Sequence, residues 1–388
     1  MKWSRVSVSI ARLGMMAAVG ALLAGCSGFD MFGSGGGKPV TGRTLGEGPV
    51  KVAVILPLTG SAASAGQNLL NAAELAFSHV NSSELQLLIK DDASSPDGAR
   101  SAARAALAEG AEIIIGPLLA AQAKAAGEVA RSQNKSVISF STDVSAAGPD
   151  TYIMGFLPYA EASEIITYAA SKGKKSVAAL IPQSPYGDIV ETALMEVAPQ
   201  RGMRVAQIER YAQGQAAAAA QKILPVVSGA DPQADTLFVP DSGPDAASIA
   251  TTLQGGGVAA AKVKLLGTSI WSRSNVYGLP LFQGGWFAGP DNSGFNTFAG
   301  RYKAKYNADP VRVASLSYDA VMLVAALTRA HGTARFNRDV LTSPSGFAGT
   351  DGIFRFKADG TNDRVFAIYE VKQGSAGQVR GVPKSFSR

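Results

Sequence analysis

The chain has 388 residues, of which 46% are hydrophobic and 17% charged, a balance that excludes intrinsic disorder and suits two cores better than one. Its formal net charge is +6, but Lys2, Arg5 and Arg12 fall in an N-terminal segment expected to be removed, which leaves 33 basic residues against 30 acidic. No long basic run with interleaved aromatics accompanies that small excess, so nucleic acid is not an expected partner.

Lys2, Arg5 and Arg12 lead into an apolar run from Leu13 to Leu23 that ends in Ala24-Gly25-Cys26. The run is too short and too rich in alanine for a spanning helix and reads as a secretory signal over residues 1–25. Leu23-Ala24-Gly25-Cys26 resembles the lipobox of bacterial lipoproteins, which implies cleavage before Cys26, the only cysteine, and acylation of its thiol. Such a chain is tethered to a membrane, not embedded in it. Residues 26–49 then form a glycine-rich tether without periodicity. Gly33 to Lys38 lacks the spacing of a phosphate loop and precedes the first strand instead of following one.

The organising unit is Val50 to Val80. Val50 to Leu56 reads as a strand, Thr59-Gly60-Ser61 and Gly66 as a small-residue elbow, and Leu69, Leu70, Ala73, Ala76, Phe77 and Val80 as the apolar stripe of a helix. The unit repeats. Strands are predicted at Leu85 to Ile89, Glu112 to Ile115, Ser136 to Phe140 and Tyr152 to Phe156, with helices over 96–109 and 120–133, and Pro158 marks a crossing. A second series follows, with strands at 176–181, 203–209, 235–239 and 262–266 and helices over 188–200, 215–227 and 244–253. Phe282 to Phe287 is a candidate return strand. Helices are then predicted over 292–306 and 314–330, and strands at 352–356 and 364–371 around the turn Asp359-Gly360. Short apolar strands alternating with amphipathic helices predict two α/β lobes, each a doubly wound parallel sheet.

In order and spacing, Leu56-Pro57-Leu58-Thr59-Gly60, Ile115-Gly116-Pro117, Ser184-Pro185-Tyr186-Gly187-Asp188, Ser317-Tyr318-Asp319-Ala320 and Gly352-Ile353-Phe354-Arg355-Phe356 resemble the leucine-binding branch of the type I periplasmic binding proteins. The resemblance spans roughly residues 50 to 374. It implies two Rossmann-like lobes joined by three hinge crossings, lobe I from 50–157 plus 289–362 and lobe II from 158–288 plus 363–388, closing on a ligand between them.

A cleft receptor needs polar groups from both lobes, because only contacts present in the closed form drive closure. Polar residues just after strands are the candidates: Thr59, Ser61, the turn at Pro117 and Leu118, Ser141 and Thr142 in lobe I, and Tyr186, Asp241 and Ser269 in lobe II. The local alternative for Thr59, Ser141 and Thr142 is capping or turn formation, and for Tyr186 and Trp271 packing. Family receptors for free amino acids hold the ligand carboxylate with a hydroxyl where this chain has Leu119 and Ala120. They match the ammonium with an acid in the loop resembling Gly267 to Ile270, which has none here; Asp241 is the acid available in its place.

Catalysis is not expected. His79 and His331 neighbour no nucleophile, Cys26 is consumed by acylation, Ser132-Gln133-Asn134-Lys135 lies ahead of a strand, and Asp91-Asp92 alone makes no metal site. No cofactor or metal is expected. Two functions remain for one fold. The first is a periplasmic, lipid-anchored receptor delivering an amino acid or similar small polar solute to an ABC permease. The alternative is a lipoprotein that activates a cell-wall synthase, as the penicillin-binding-protein activators that resemble this fold do. Ser27 after the cysteine resembles the pattern sorted to the outer membrane.

Overall fold

A computed structural model describes residues 42–272 and 274–386 of the chain. The first series comprises β1 (Thr44–Leu45), β2 (Val50–Leu56), α1 (Ala63–Val80), β3 (Leu85–Asp91), α2 (Pro96–Ala108), β4 (Ile113–Ile115), α3 (Ala120–Arg131), β5 (Ser136–Ser139) and β6 (Thr151–Ile153). The second comprises α4 (Pro158–Ser171), β7 (Ser176–Pro182), α5 (Pro185–Gln200), β8 (Arg204–Tyr211), α6 (Ala216–Val227), β9 (Thr236–Phe238), α7 (Pro244–Gly255), β10 (Lys264–Gly267), a four-residue α8 (Ser274–Tyr277) and β11 (Trp286–Gly289). The chain then adds α9 (Asn292–Tyr306), α10 (Ala314–His331), α11 (Arg338–Leu341), β12 (Phe347–Gly349), β13 (Gly352–Phe356) and β14 (Asn362–Arg364). It closes with β15 (Ala367–Lys372) and β16 (Ser375–Arg380).

These elements build the two doubly wound lobes expected. The first sheet has the order β1-β3-β2-β4-β5-β6, parallel throughout except for β1 against β3. The second has the order β16-β15-β11-β10-β9-β7-β8, in which β7 to β11 are parallel and β15 returns antiparallel to β11. A small antiparallel sheet, β12-β13-β14, flanks the first lobe. Both faces of each large sheet are covered. On the first, α1, α9 and α10 bury Leu69, Phe298 and Val321 against one side, and α2 and α3 bury Ala103 and Ala126 against the other. On the second, α4 and α5 cover one side and α6 and α7 the other. Burial on two faces is why β2 reads Val-Lys-Val-Ala-Val-Ile-Leu without polar alternation.

Helix starts are written locally. Ser95 and Ser184 accept the amides of Gly98 and Gly187 with their hydroxyls, each at 3.1 Å, with proline at the first helical position of α2 and α5. Gly66 in α1 and Gly187 in α5 occupy equivalent places in the two lobes. A Cβ on either would overlap a backbone carbonyl oxygen at the end of the preceding strand, that of Pro57, the residue just after β2, or of Pro182, the last residue of β7. Only glycine lets these helices start so close to their strands.

Several expectations need correction. Residues 158–171, read only as a crossing at Pro158, form the four-turn helix α4. The return strand, expected at Phe282 to Phe287, is present but begins four residues later, at Trp286–Gly289, because Pro280–Phe282 is a 3-10 turn and Gly284 takes a φ of +76°. Ser375–Arg380 adds an unanticipated edge strand. Part of the stretch read as tether pairs with the sheet, Thr44 opposite Leu88 and Leu45 opposite Leu87. Cys26 and the signal segment lie outside the described residues.

Candidate functional site

In a parallel sheet the loops after successive strands emerge at one edge, and in both lobes that edge is also where the chain crosses over, after β6 and after β11. The loops carrying the candidate residues are therefore gathered at the carboxyl edges of the two sheets.

At the first edge, Asp91 at the end of β3 organises the loop after β2. Its Oδ1 accepts the amides of Leu58 and Thr59 at 2.9 and 3.2 Å, and its Oδ2 accepts the Thr59 hydroxyl at 2.6 Å. Ser94 donates its hydroxyl to the Thr59 carbonyl and accepts the amide of Ala62, at 2.7 and 3.1 Å. Thr59 is thus a brace between two loops, while Ser61 beside it is exposed. Asp92 is buried with its Oδ2 lacking a hydrogen-bond partner, and burial pushes its pKa up to about 6.

The Pro117 carbonyl, after a cis peptide bond, accepts the Ser139 hydroxyl at 2.9 Å and the Phe140 amide at 3.0 Å. Leu118 packs against the first core. Leu119 caps α3 in extended conformation with no side-chain bond to the helix amides, so the first turn of α3 is uncapped at this edge. Ser141 is buried and its hydroxyl accepts the Asp143 amide at 3.0 Å, whereas Thr142 is exposed.

The second edge carries more polar chemistry. The Tyr186 hydroxyl meets Thr268 Oγ1 at 2.6 Å, and burial pushes the phenol pKa up further than the nearby carboxylates do. Asp241 accepts the Tyr211 hydroxyl and, at 2.6 Å, the amide of Ser242. Its pKa is raised, chiefly by burial. Trp271 is fully buried, donating Nε1 to the Val239 carbonyl at 2.9 Å and packing on Phe282, which makes it core.

Ser269 brings in a residue that the sequence reading missed. Glu161, in the first turn of α4, accepts the Ser269 amide at 3.0 Å and its hydroxyl at 2.7 and 2.9 Å. Its side chain is buried at 5% exposure, and burial raises its pKa to about 7 against the bonds from Ser269 and the field of Arg312. The loop at 267–270 does hold an acid, supplied by another element. Pro158 followed three residues later by Glu161 is a helix-start pattern, and that was the available signal.

Among the described residues, no group of three His, Cys, Asp or Glu side chains could hold a metal ion. None of their helices is long and apolar enough to cross a membrane.

A family model for the periplasmic binding proteins matches residues 49–378. The chain belongs to that family. The binding protein resembles a Rhodospirillum rubrum protein described as a branched-chain amino acid ABC transporter, at 21% identity and a TM-score of 0.75, over 85% of this chain and 99% of the other. It is also similar to the substrate-binding protein LivJ of Streptococcus pneumoniae in complex with isoleucine, at 20% identity and a TM-score of 0.59, over 86% and 99% of the two chains. A Rhodopseudomonas palustris solute-binding protein in complex with 3,4-dihydroxybenzoic acid matches at 19% identity and a TM-score of 0.61, over 87% and 97%. At these identities the likenesses establish the type I fold alone. No curated protein matched the chain.

Proposed function

We propose that this binding protein is the solute receptor of an ABC-type importer, closing its two lobes on a small polar solute of amino-acid type. The observation that carries the reading is the buried Glu161 carboxylate held by Ser269 beside Tyr186 and Thr268 at the carboxyl edge of the second sheet. A buried acid with hydrogen-bond partners but no cation bonded to it favours a ligand that brings a positive or donating group. Thr142, Ser61 and the uncapped first turn of α3 are the groups the first lobe offers in return, the helix amides suiting a carboxylate. Chain similarity to proteins whose complexes hold isoleucine or an aromatic acid supports a small organic ligand. We place the protein in the periplasm, anchored through acylated Cys26, with the outer membrane favoured.

A thermal-shift screen of the common amino acids and aromatic carboxylates tests the proposal. A saturable solute that raises the melting temperature with concentration supports it, since a ligand bound only by the native state stabilises by mass action. No shift across the screen, together with capture of a peptidoglycan synthase, would transfer the assignment to the synthase-activator alternative.

A further inference from the structure

Beside the first and third crossings lies an open cavity of about 1050 Å³ that takes in Thr142 of the first edge but neither Glu161 nor Tyr186. Its volume is that of a small-molecule site. Thr142 and Val144 of the first lobe form one wall, α4 and α5 of the second form another, and the β13–β14 hairpin and the segment after β16 close the rest. Because both lobes contribute, rotation about the crossings reshapes the cavity.

Two features of the walls specify an occupant. One is apolar: Val144, Leu157, Val365, Val382 and Phe386 face the space. The other is an excess of positive charge. The walls carry Arg201, Arg355, Lys357, Arg364 and Arg380 against Glu164 and Asp363. Asp363 is matched by Arg355 at 2.8 Å and Glu164 by Arg380. Lys357 reaches Asp359 at 3.5 Å, while Arg201 bonds only the Thr167 hydroxyl at 3.3 Å. Arg364 is buried at 8% exposure, its guanidinium 4.9 Å from the ring centres of both Phe156 and Phe354. It donates Nη2 to the Met154 carbonyl at 2.8 Å, and its Nε and Nη1 have no hydrogen-bond partner among the described residues. Among the described residues no carboxylate bonds it, but the buried Asp351 and Asp319 act on it through space, so the cation left open to an anion in the cavity is Arg201, which bonds only a neutral hydroxyl.

We infer that this cavity is a second ligand site, separate from the edge of Glu161 and Tyr186, for a small amphipathic anion with an apolar body and one acidic head. The apolar wall takes the body, and Arg201, the cation without a carboxylate partner among the described residues, takes the head within the net positive charge of the walls.

Isothermal titration calorimetry with decanoate, below its micellar concentration, tests this on the full chain carrying Cys26→Ser, so that no acyl chain is added. Saturable one-site binding is expected, with a negative heat-capacity change from apolar burial. 1-Decanol, which keeps the tail and lacks the charge, should bind about tenfold more weakly or worse. Ser163→Trp and Thr192→Trp, on the α4 and α5 walls, should each weaken decanoate about tenfold while leaving the melting temperature unchanged, and Tyr186→Phe should leave decanoate binding unaltered. The inference is overturned by absence of saturable binding, by equal affinity for decanol, or by wild-type affinity in both tryptophan variants. Loss of decanoate binding in Tyr186→Phe overturns it too, by assigning the anion to the other site. None of these readouts depends on the amino-acid screen.

Discussion

The carboxylate of Glu161 closes on Ser269 across 108 positions of sequence, accepting both its amide and its hydroxyl. The contact ties the first turn of α4, immediately after the first crossing, to the loop after β10. It therefore fixes the position of a polar edge relative to a hinge.

Acid titration should expose this group. Glu161 and Asp319 have pKa values raised by burial to about 7, and Asp92 to about 6, against 4.5 for a free Glu and 3.8 for a free Asp. Each native carboxyl keeps its proton in a range where the unfolded chain has released it. Stability is then highest below the free values, falls as pH rises toward 7, and is flat above, by at most about 1.4 kcal/mol per pH unit for each group. Melting temperatures between pH 5 and 8 should fall with rising pH in the wild type and less steeply in Glu161→Gln, whose amide oxygen still accepts from Ser269. An unchanged slope would remove Glu161 from the account.

Tyr186→Phe keeps the ring and deletes the hydroxyl that meets the buried Thr268 at 2.6 Å. The expected loss is about 1 kcal/mol of stability in urea unfolding, the usual cost of a lost hydrogen bond. A solute found in the screen should also bind about tenfold more weakly, since a hydroxyl bonded into a buried site costs about 1–3 kcal/mol to remove.

The two helix starts offer a paired test. Gly66→Ala and Gly187→Ala push a Cβ into the carbonyls of Pro57 and Pro182, and each should cost about 2–3 kcal/mol or more because backbone must move. Gly300→Ala, in α9 with open space around its Cβ position, should instead stabilise by up to about 1 kcal/mol. Chemical denaturation of the three variants settles whether close approach, not helix propensity, governs the first two.

Arg312 holds the second crossing. Its Nε donates to Asp351 at 2.9 Å, Nη1 to Asn292 Oδ1 at 2.6 Å and Nη2 to the Asp291 carbonyl at 2.9 Å, and Asp351 is fully buried. Arg312→Met should cost about 3–5 kcal/mol by stranding that carboxylate. Adding Asp351→Asn should recover part of the loss, because the uncompensated charge goes with it. A double-mutant cycle by calorimetry reads the coupling; strict additivity would deny it.

The alternation of strands and helices, the start of α2 at Pro96 and both lobes were legible in the chain because they follow from apolar period and proline at a first helical position, whereas α5, expected from 188, starts three residues earlier at Pro185 behind its Ser184 cap. The placement of Tyr186, Asp241 and Ser269 at the carboxyl edge of the second sheet was legible for a related reason, as residues just past parallel strands collect at one edge. Helix α4 escaped because Pro158 was read as a crossing and the stretch Ala160 to Ser171 has too little polar contrast to mark a face. Glu161 escaped with it. Its partner lies 108 residues away, and no local pattern encodes such a distance. Likewise the excess of cations around the hinge cavity comes from four separate segments whose charges look unremarkable in sequence. Periodicity and capping act between neighbours in the chain, so sequence alone determines the elements and their order. Burial of a charge, its counter-group and the walls of a cavity are set by long-range packing, and only the tertiary structure decided those.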